Sequence, residues 1–344
     1  MRLPVAAADR AAIAAPHPRA ATRAERRQPH SSHPSAPADP PPLCASRRGV
    51  LAALAAQLLG APRALAAAAL EAAAAGAPLP PALIQLALAP NQALYDPADP
   101  KLRAAAALLQ EGLNAPTVAA EEAVWTRIIA EYGGLDAPWV PDVVGRAWGN
   151  RGNARSRQGK LAEALEDYNT AIALCPWSPD PVLNRGVVLE ALGRFPEACA
   201  DYRAVLAVSP EDPSAWNNLG NASGGAGDWA AAERHYLTAT RLAPQFSFAA
   251  ANLALARYQL GRDNEAIKEL RTLLRKYPEF YDCRAALAAA LWGAGLQAAA
   301  EGEFLRVDDP RYRDLAWIKA NRRWPPRLVS DLAAFLSIKD VQAR

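Results

Sequence analysis

The chain has 344 residues with 38 Lys and Arg against 35 Asp and Glu, yet nine of the arginines and only Asp9, Glu25 and Asp39 among the acids fall in the first 66 residues. What remains is mildly acidic, 29 basic against 32 acidic residues, and this argues against nucleic acid, because phosphate binding needs a concentrated surplus of Lys and Arg. At 51% hydrophobic and 21% charged with nine Trp, the body composition is globular, and with His235 the one histidine after the leader, no His pair and no CxxC, neither a metal nor a cofactor is expected.

In chain order, residues 1–45 are rich in Arg, Ala and Pro and poor in acids, which resembles an organellar transit peptide. Residues 46–66 follow as Ser46-Arg47-Arg48-Gly49-Val50-Leu51, a short apolar run broken by Pro62 and Arg63, and Ala64-Leu65-Ala66. That order of paired arginine, h-region and small-x-small cleavage site is the twin-arginine export signal, cut near Ala66. The run is too short to span a bilayer. A transit peptide in front of a twin-arginine signal resembles the bipartite presequence of proteins sent to the chloroplast thylakoid lumen; the alternatives are the chloroplast stroma and, with a misplaced start, the bacterial periplasm.

Residues 67–144 read as an N-terminal helical and capping segment, with helices expected near 79–89, 100–113 and 116–132. A 34-residue repeat then dominates. Pro176, Pro210, Pro244 and Pro278 recur at that interval, and the same positions of the unit carry the same chemistry. Position 6 is Asn150, Asn184, Asn218 and Asn252; position 8 is Gly152, Gly186, Gly220 and Ala254. Position 15 is Gly159, Gly193, Gly227 and Gly261; position 20 is Ala164, Ala198, Ala232 and Ala266; position 24 is Tyr168, Tyr202, Tyr236 and Leu270. Small residues at 8 and 20 belong where two helices cross closely, and Gly at 15 belongs where the first helix stops, since that cap needs φ > 0.

These residues resemble the tetratricopeptide repeat (TPR). The resemblance implies an all-α fold, a right-handed superhelical solenoid of antiparallel helix pairs with capping helices. The units are 145–178, 179–212, 213–246 and 247–280, followed by a degenerate fifth at 281–310 and capping helices within 311–344. The first helix of each unit lines the concave face, so Asn150, Asn153, Arg157, Asn184, Val187, Asn217, Asn218, Asn221, Asn252, Leu255 and Tyr258 are the expected partner-binding groove. Side-chain amides there offer a donor and an acceptor to an extended peptide; the same Asn residues could instead bridge neighbouring helices. Chaperone-binding members of the family grip a carboxylate with Lys and Arg where this chain has Gly149, Ser214 and Asn218, so that role is disfavoured.

Other features have plainer readings. Gly220 to Gly227 lacks the GK[ST] ending of a phosphate loop and is expected to be a weak, flexible helical stretch. Arg151 and Arg185 occupy a semi-buried slot and call for carboxylates among Glu163, Glu166, Asp167 and Glu190. His235 is expected to be exposed, and no catalytic set can be built around it, so a non-enzymatic chain is expected. Arg322-Arg323-Trp324-Pro325-Pro326-Arg327 is either a capping turn with Trp324 packed down or a docking surface for a partner or the thylakoid membrane periphery. Cys175, Cys199 and Cys283 are three buried thiols or one disulfide plus a free thiol, and the second case would make a redox-responsive regulator.

From Ala137-Pro138-Trp139-Val140-Pro141-Asp142 to Arg327 the chain resembles the TPR proteins of the plant and algal thylakoid lumen. That resemblance implies an interaction scaffold for assembly or maintenance of thylakoid complexes, with photosystem subunits as first-guess partners. A self-associating structural solenoid is the other non-enzymatic alternative.

Overall fold

The computed structural model describes residues 83–338. The transit peptide, the twin-arginine signal and its cleavage site lie outside them. Among the described residues there are fourteen α-helices and no strands. Helices α1 (Pro100–Leu113) and α2 (Val118–Tyr132) precede the repeats. The repeat pairs are α3 (Val140–Arg157) with α4 (Leu161–Leu174), α5 (Pro179–Ala191) with α6 (Phe195–Val208), α7 (Pro213–Gly225) with α8 (Trp229–Leu242) and α9 (Ser247–Gln259) with α10 (Asp263–Lys276). A fifth pair, α11 (Tyr281–Gly293) and the short α12 (Gln297–Phe304), leads to α13 (Leu315–Asn321) and α14 (Pro326–Leu336).

The spacing of small and large residues explains the pairing. Every position-20 alanine, from Ala164 to Ala300, is fully buried. Position 8 has no room for a side chain wherever it faces tyrosine: a Cβ on Gly152, Gly186 or Gly220 would lie 2.8, 2.7 or 2.5 Å from the ring of Tyr168, Tyr202 or Tyr236. In the fourth repeat the partner shrinks to Leu270 and position 8 enlarges to Ala254. Gly159, Gly193, Gly227, Gly261 and Gly295 all have φ between 72° and 89°, the left-handed conformation that closes a helix C-terminus at little cost only for glycine.

Two expectations change at the N-terminal end of the array. The first repeat's leading helix starts at Val140, ahead of the expected 145, with Pro141 in its first turn where a missing N–H costs nothing. The described part of the expected 79–89 helix contains only a 3₁₀ turn at Leu86–Leu88. There the Gln85 N–H donates to the Pro176 carbonyl at 2.8 Å, which ties the strand-like segment to the first repeat in place of helical bonding. By contrast α1 does pack, burying Leu102, Ala105, Leu108 and Leu109 with Trp125, Ile128 and Val143.

The glycine-rich stretch is helical and closely packed. Helix α7 runs unbroken to Gly225, and the missing side chains are replaced by rings: Trp229 would clash with a Cβ on Gly224 at 3.0 Å, and Phe195 with one on Gly225 at 2.3 Å. The glycines are there for close packing. Among the described residues no helix is long and apolar enough to cross a membrane.

Candidate protein-binding groove

The asparagines of the concave face form a ladder between repeats. The Asn184 amide donates to Asn153 Oδ1 at 3.0 Å, and the Asn252 amide donates to Asn217 Oδ1 at 3.1 Å and to Asn221 Oδ1 at 3.3 Å. Position 6 of one repeat thus reaches position 9 of the repeat before it. Position 9 is braced from behind by the position-24 tyrosine, Tyr168 Oη donating to Asn153 at 2.8 Å and Tyr236 Oη to Asn221 at 2.9 Å. Bridging between helices is therefore what most of these amides do.

One rung is missing. At the junction of the second and third repeats position 9 is Val187, which has no acceptor, and the Nδ2 of Asn218, 6% exposed, makes no hydrogen bond. One turn along α5 lies Glu190, where the other repeats have Ser156, Gly224 and Tyr258. Its carboxylate is buried, accepts from Tyr202 Oη at 3.2 Å, and is ion-paired with Arg323 from the C-terminal segment, 133 residues away. Burial pushes the Glu190 carboxyl above the usual carboxylate range, against the pull of Arg323 and the Tyr202 hydroxyl. For Arg323, burial favours the neutral form, but the paired Glu190 carboxylate outweighs it and raises the guanidinium pKa.

The C-terminal segment crosses the far half of the groove. Arg327 stacks over the Tyr258 ring at 4.2 Å, donates to the Tyr258 carbonyl at 2.6 Å and forms a bidentate pair with Asp263 at 2.6 and 2.7 Å. Tyr258 Oη in turn donates to Asp331 at 2.6 Å, and Leu255 and Tyr258 share one core with Leu328, Leu332 and Phe335 of α14. Of the expected groove residues, Leu255 and Tyr258 are thus covered by the chain itself. Arg157 is also taken, paired with Glu121 of α2. Of the others, Asn150, Asn153, Asn184 and Asn252 are half-buried, whereas Val187, Asn217, Asn218 and Asn221 are buried. Trp324 is packed down, stacked on Tyr312 at 6.2 Å, so the basic aromatic turn is a capping turn.

Of the carboxylates expected beside Arg151 and Arg185, only Asp167 serves. Arg151 pairs with it at 2.9 and 2.8 Å, and Arg185 pairs with Asp201 at 2.8 and 2.7 Å. Asp201 was missed although the offset of 16 residues repeats, Arg151 to Asp167 and Arg185 to Asp201. His235 is half-buried against Trp216, ring centroids 5.6 Å apart, rather than exposed; burial, with Arg234 and Arg203 nearby, lowers its pKa. Cys175, Cys199 and Cys283 are all free, buried thiols. Burial raises the pKa of each and so suppresses the reactive thiolate, which goes against the redox-regulator reading. Among the described residues no group of His, Cys, Asp and Glu could hold a metal ion.

Stacked helix pairs with left-handed glycine corners and an amide-lined concave face define a TPR solenoid, a class of protein-interaction scaffold. Family models agree: a TPR repeat model matches residues 152–193, and a tetratricopeptide repeat model matches 183–247 and 223–278. A tetratricopeptide repeat protein from Parabacteroides merdae has a similar solved structure, with TM-score 0.52 and 17% identity over 70% of this chain and 97% of that one. The structure of the APC/C hetero-tetramer Cut9–Hcn1 also has TM-score 0.52, with 19% identity over 68% of this chain and 42% of that one. At these identities the likeness is one of fold. No curated protein matches the chain.

Proposed function

We propose that the chain is a non-enzymatic scaffold that seats an extended segment of a partner protein on its concave face, and that it serves assembly or maintenance of thylakoid complexes in the chloroplast lumen. The observation that carries the binding role is the broken rung: a buried amide donor, Asn218 Nδ2, has no acceptor on an otherwise paired face. Burying a donor unpaired costs about 1–3 kcal/mol, and a partner's backbone carbonyl would recover it. The lumenal address rests on the transit-like residues 1–45 and the twin-arginine signal at 46–66. Photosystem subunits with lumen-exposed segments are the first candidates for the partner.

The test is photo-crosslinking in isolated thylakoids, with a photoreactive residue at position 150 of the expected groove or, as a control, at exposed Glu166. Crosslinks to a lumen-exposed subunit from 150 alone, lost when Asn218→Ala and Asn221→Ala are added in a chain that retains its helix content, are expected. Crosslinks only from 166 would sink the groove reading, and N-terminal sequencing that finds the mature chain starting near residue 45 would sink the lumenal one.

A further inference from the structure

The ion pair between Glu190 and Arg323 joins a buried carboxylate to a partly exposed guanidinium, as Arg146–Asp142 does at 2% and 32%, but it does so across 133 residues and with a cation from outside the repeats. Arg151–Asp167 and Arg185–Asp201 are sealed on both sides, with side-chain exposures of 9% and 1%, and 6% and 2%. In the third pair Glu190 is 3% exposed while Arg323 is 38% exposed. A carboxylate is thus held permanently at the bottom of a recess, and its cation arrives from the open side. The cation comes from a segment without regular structure: residues 322–325 lie between α13 and α14 with extended backbone at both ends, φ/ψ −121°/143° at Arg322 and −64°/148° at Pro325. The chain therefore lays an extended strand of its own into the groove and inserts an arginine.

Three groups make the recess suit a guanidinium. Glu190 offers one oxygen to Arg323 Nε while the other is held by the Tyr202 hydroxyl. The Tyr202 hydroxyl, on a fully buried side chain, holds the Glu190 carboxylate in place, and a weakly hydrated planar cation enters such a partly dry site at lower cost than an ammonium. Asn218, on the next repeat, keeps a buried donor with no acceptor, and Val187, the equivalent of the Asn that accepts in the first and third repeats, lies one turn before Glu190. An extended peptide that places an arginine in the recess carries backbone carbonyls along the same face.

We propose that the recess of Glu190 and Tyr202 is a recognition pocket for an arginine presented by an extended segment of the partner protein, and that Arg323 occupies it in cis as a competitor. This rests on the groove reading above and narrows it to a partner of stated chemistry. The strap from Arg322 to Arg327 then sets a threshold: a partner binds by replacing Arg323, while Arg327 on Asp263 and Arg322 on Asp282, at 2.9 Å, keep the strap tethered.

The experiment uses the full chain and a fluorescein-labelled peptide of its own residues 320–328, alongside the same peptide with alanine at the position of Arg323, read by fluorescence anisotropy. The Arg323→Ala chain should bind the arginine peptide about tenfold more tightly than wild type does, and about tenfold more tightly than it binds the alanine peptide, a discrimination of the size one charge-assisted pair supplies. The preference should vanish when Glu190→Gln is added. Equal binding of the two peptides, a preference that survives Glu190→Gln, or no binding of either overturns the pocket. Equal binding that is lost on Asn218→Leu would do so while leaving the groove reading standing. Should Arg323→Ala fold poorly, N-ethylguanidinium at millimolar concentration should raise its melting temperature and leave that of Glu190→Gln unchanged; absence of rescue also overturns the proposal.

Discussion

Replacing Gly220 by alanine tests the packing rule on which the array is built. Helix propensity alone favours the change by about 1 kcal/mol, because α7 is rich in glycine. The structure opposes it. The new Cβ would sit 2.5 and 2.6 Å from two ring carbons of Tyr236, whereas ordinary contact begins near 3.4 Å. The ring cannot withdraw freely, since its hydroxyl is held by Asn221 at 2.9 Å. Overpacking costs about 1–3 kcal/mol and a lost hydrogen bond about 1 kcal/mol, so net destabilisation of about 1–3 kcal/mol is expected. Adding Tyr236→Leu reproduces the Ala254 and Leu270 pair of the fourth repeat and should recover much of that loss. Urea unfolding of wild type, both single variants and the double variant, with m-values compared, gives the coupling energy. A favourable coupling of about 1–3 kcal/mol is expected; additivity within about 0.5 kcal/mol, or a stabilising Gly220→Ala, would refute the rule.

Arg185→Met strands the buried Asp201 carboxylate and should cost about 3–5 kcal/mol, whereas Arg185→Met with Asp201→Leu should cost far less, read by the same melts. Gly227→Ala should destabilise by about 1 kcal/mol through its φ of 89° alone, no heavy atom lying within 4 Å of the added Cβ, and Gly227→Asn should cost less. Glu122 joins α2 to the first repeat. Burial raises its pKa, but hydrogen bonds from Lys160, Arg155 and Gln158 outweigh this and bring it down from 4.5 to about 2. Its folded pKa being depressed, its contribution is present above pH 4.5 and is lost as pH falls toward 2; the acid limb of a stability–pH curve should flatten in Glu122→Gln over that window.

The repeat was legible because steric rules recur every 34 residues, so Gly186 and Tyr202, or Gly193 and its corner, could be placed from spacing alone. The broken rung was also in principle readable, since position 9 is Asn153, Val187, Asn221 and Leu255 while position 6 stays Asn. The strap was not. Residues 322–327 have no periodicity and contact the second and fourth repeats across long sequence separations, and nothing local distinguishes Arg323 from a solvated cation. The segment before Pro100 misled for a related reason: its leucines have a helical look, yet Gln85 gives its N–H to Pro176, a partner outside the segment.

The missing rung has a mechanical side. The first and second repeats are pinned by Asn153 to Asn184, and the third and fourth by Asn217 and Asn221 to Asn252, whereas the second and third lack such an amide bridge and meet through contacts such as Phe195 on Gly225 and Cys199 with Ser223. Directional bonds fix a register, while apolar contact resists separation but tolerates sliding. The second–third junction is therefore where the pitch of the first four repeats is expected to yield first, and the Arg323–Glu190 contact ties the second repeat to the C-terminal segment there. Removing that tie is expected to soften the pitch at this junction, so the groove's width near Asn218 becomes a variable that the length of a bound segment can set.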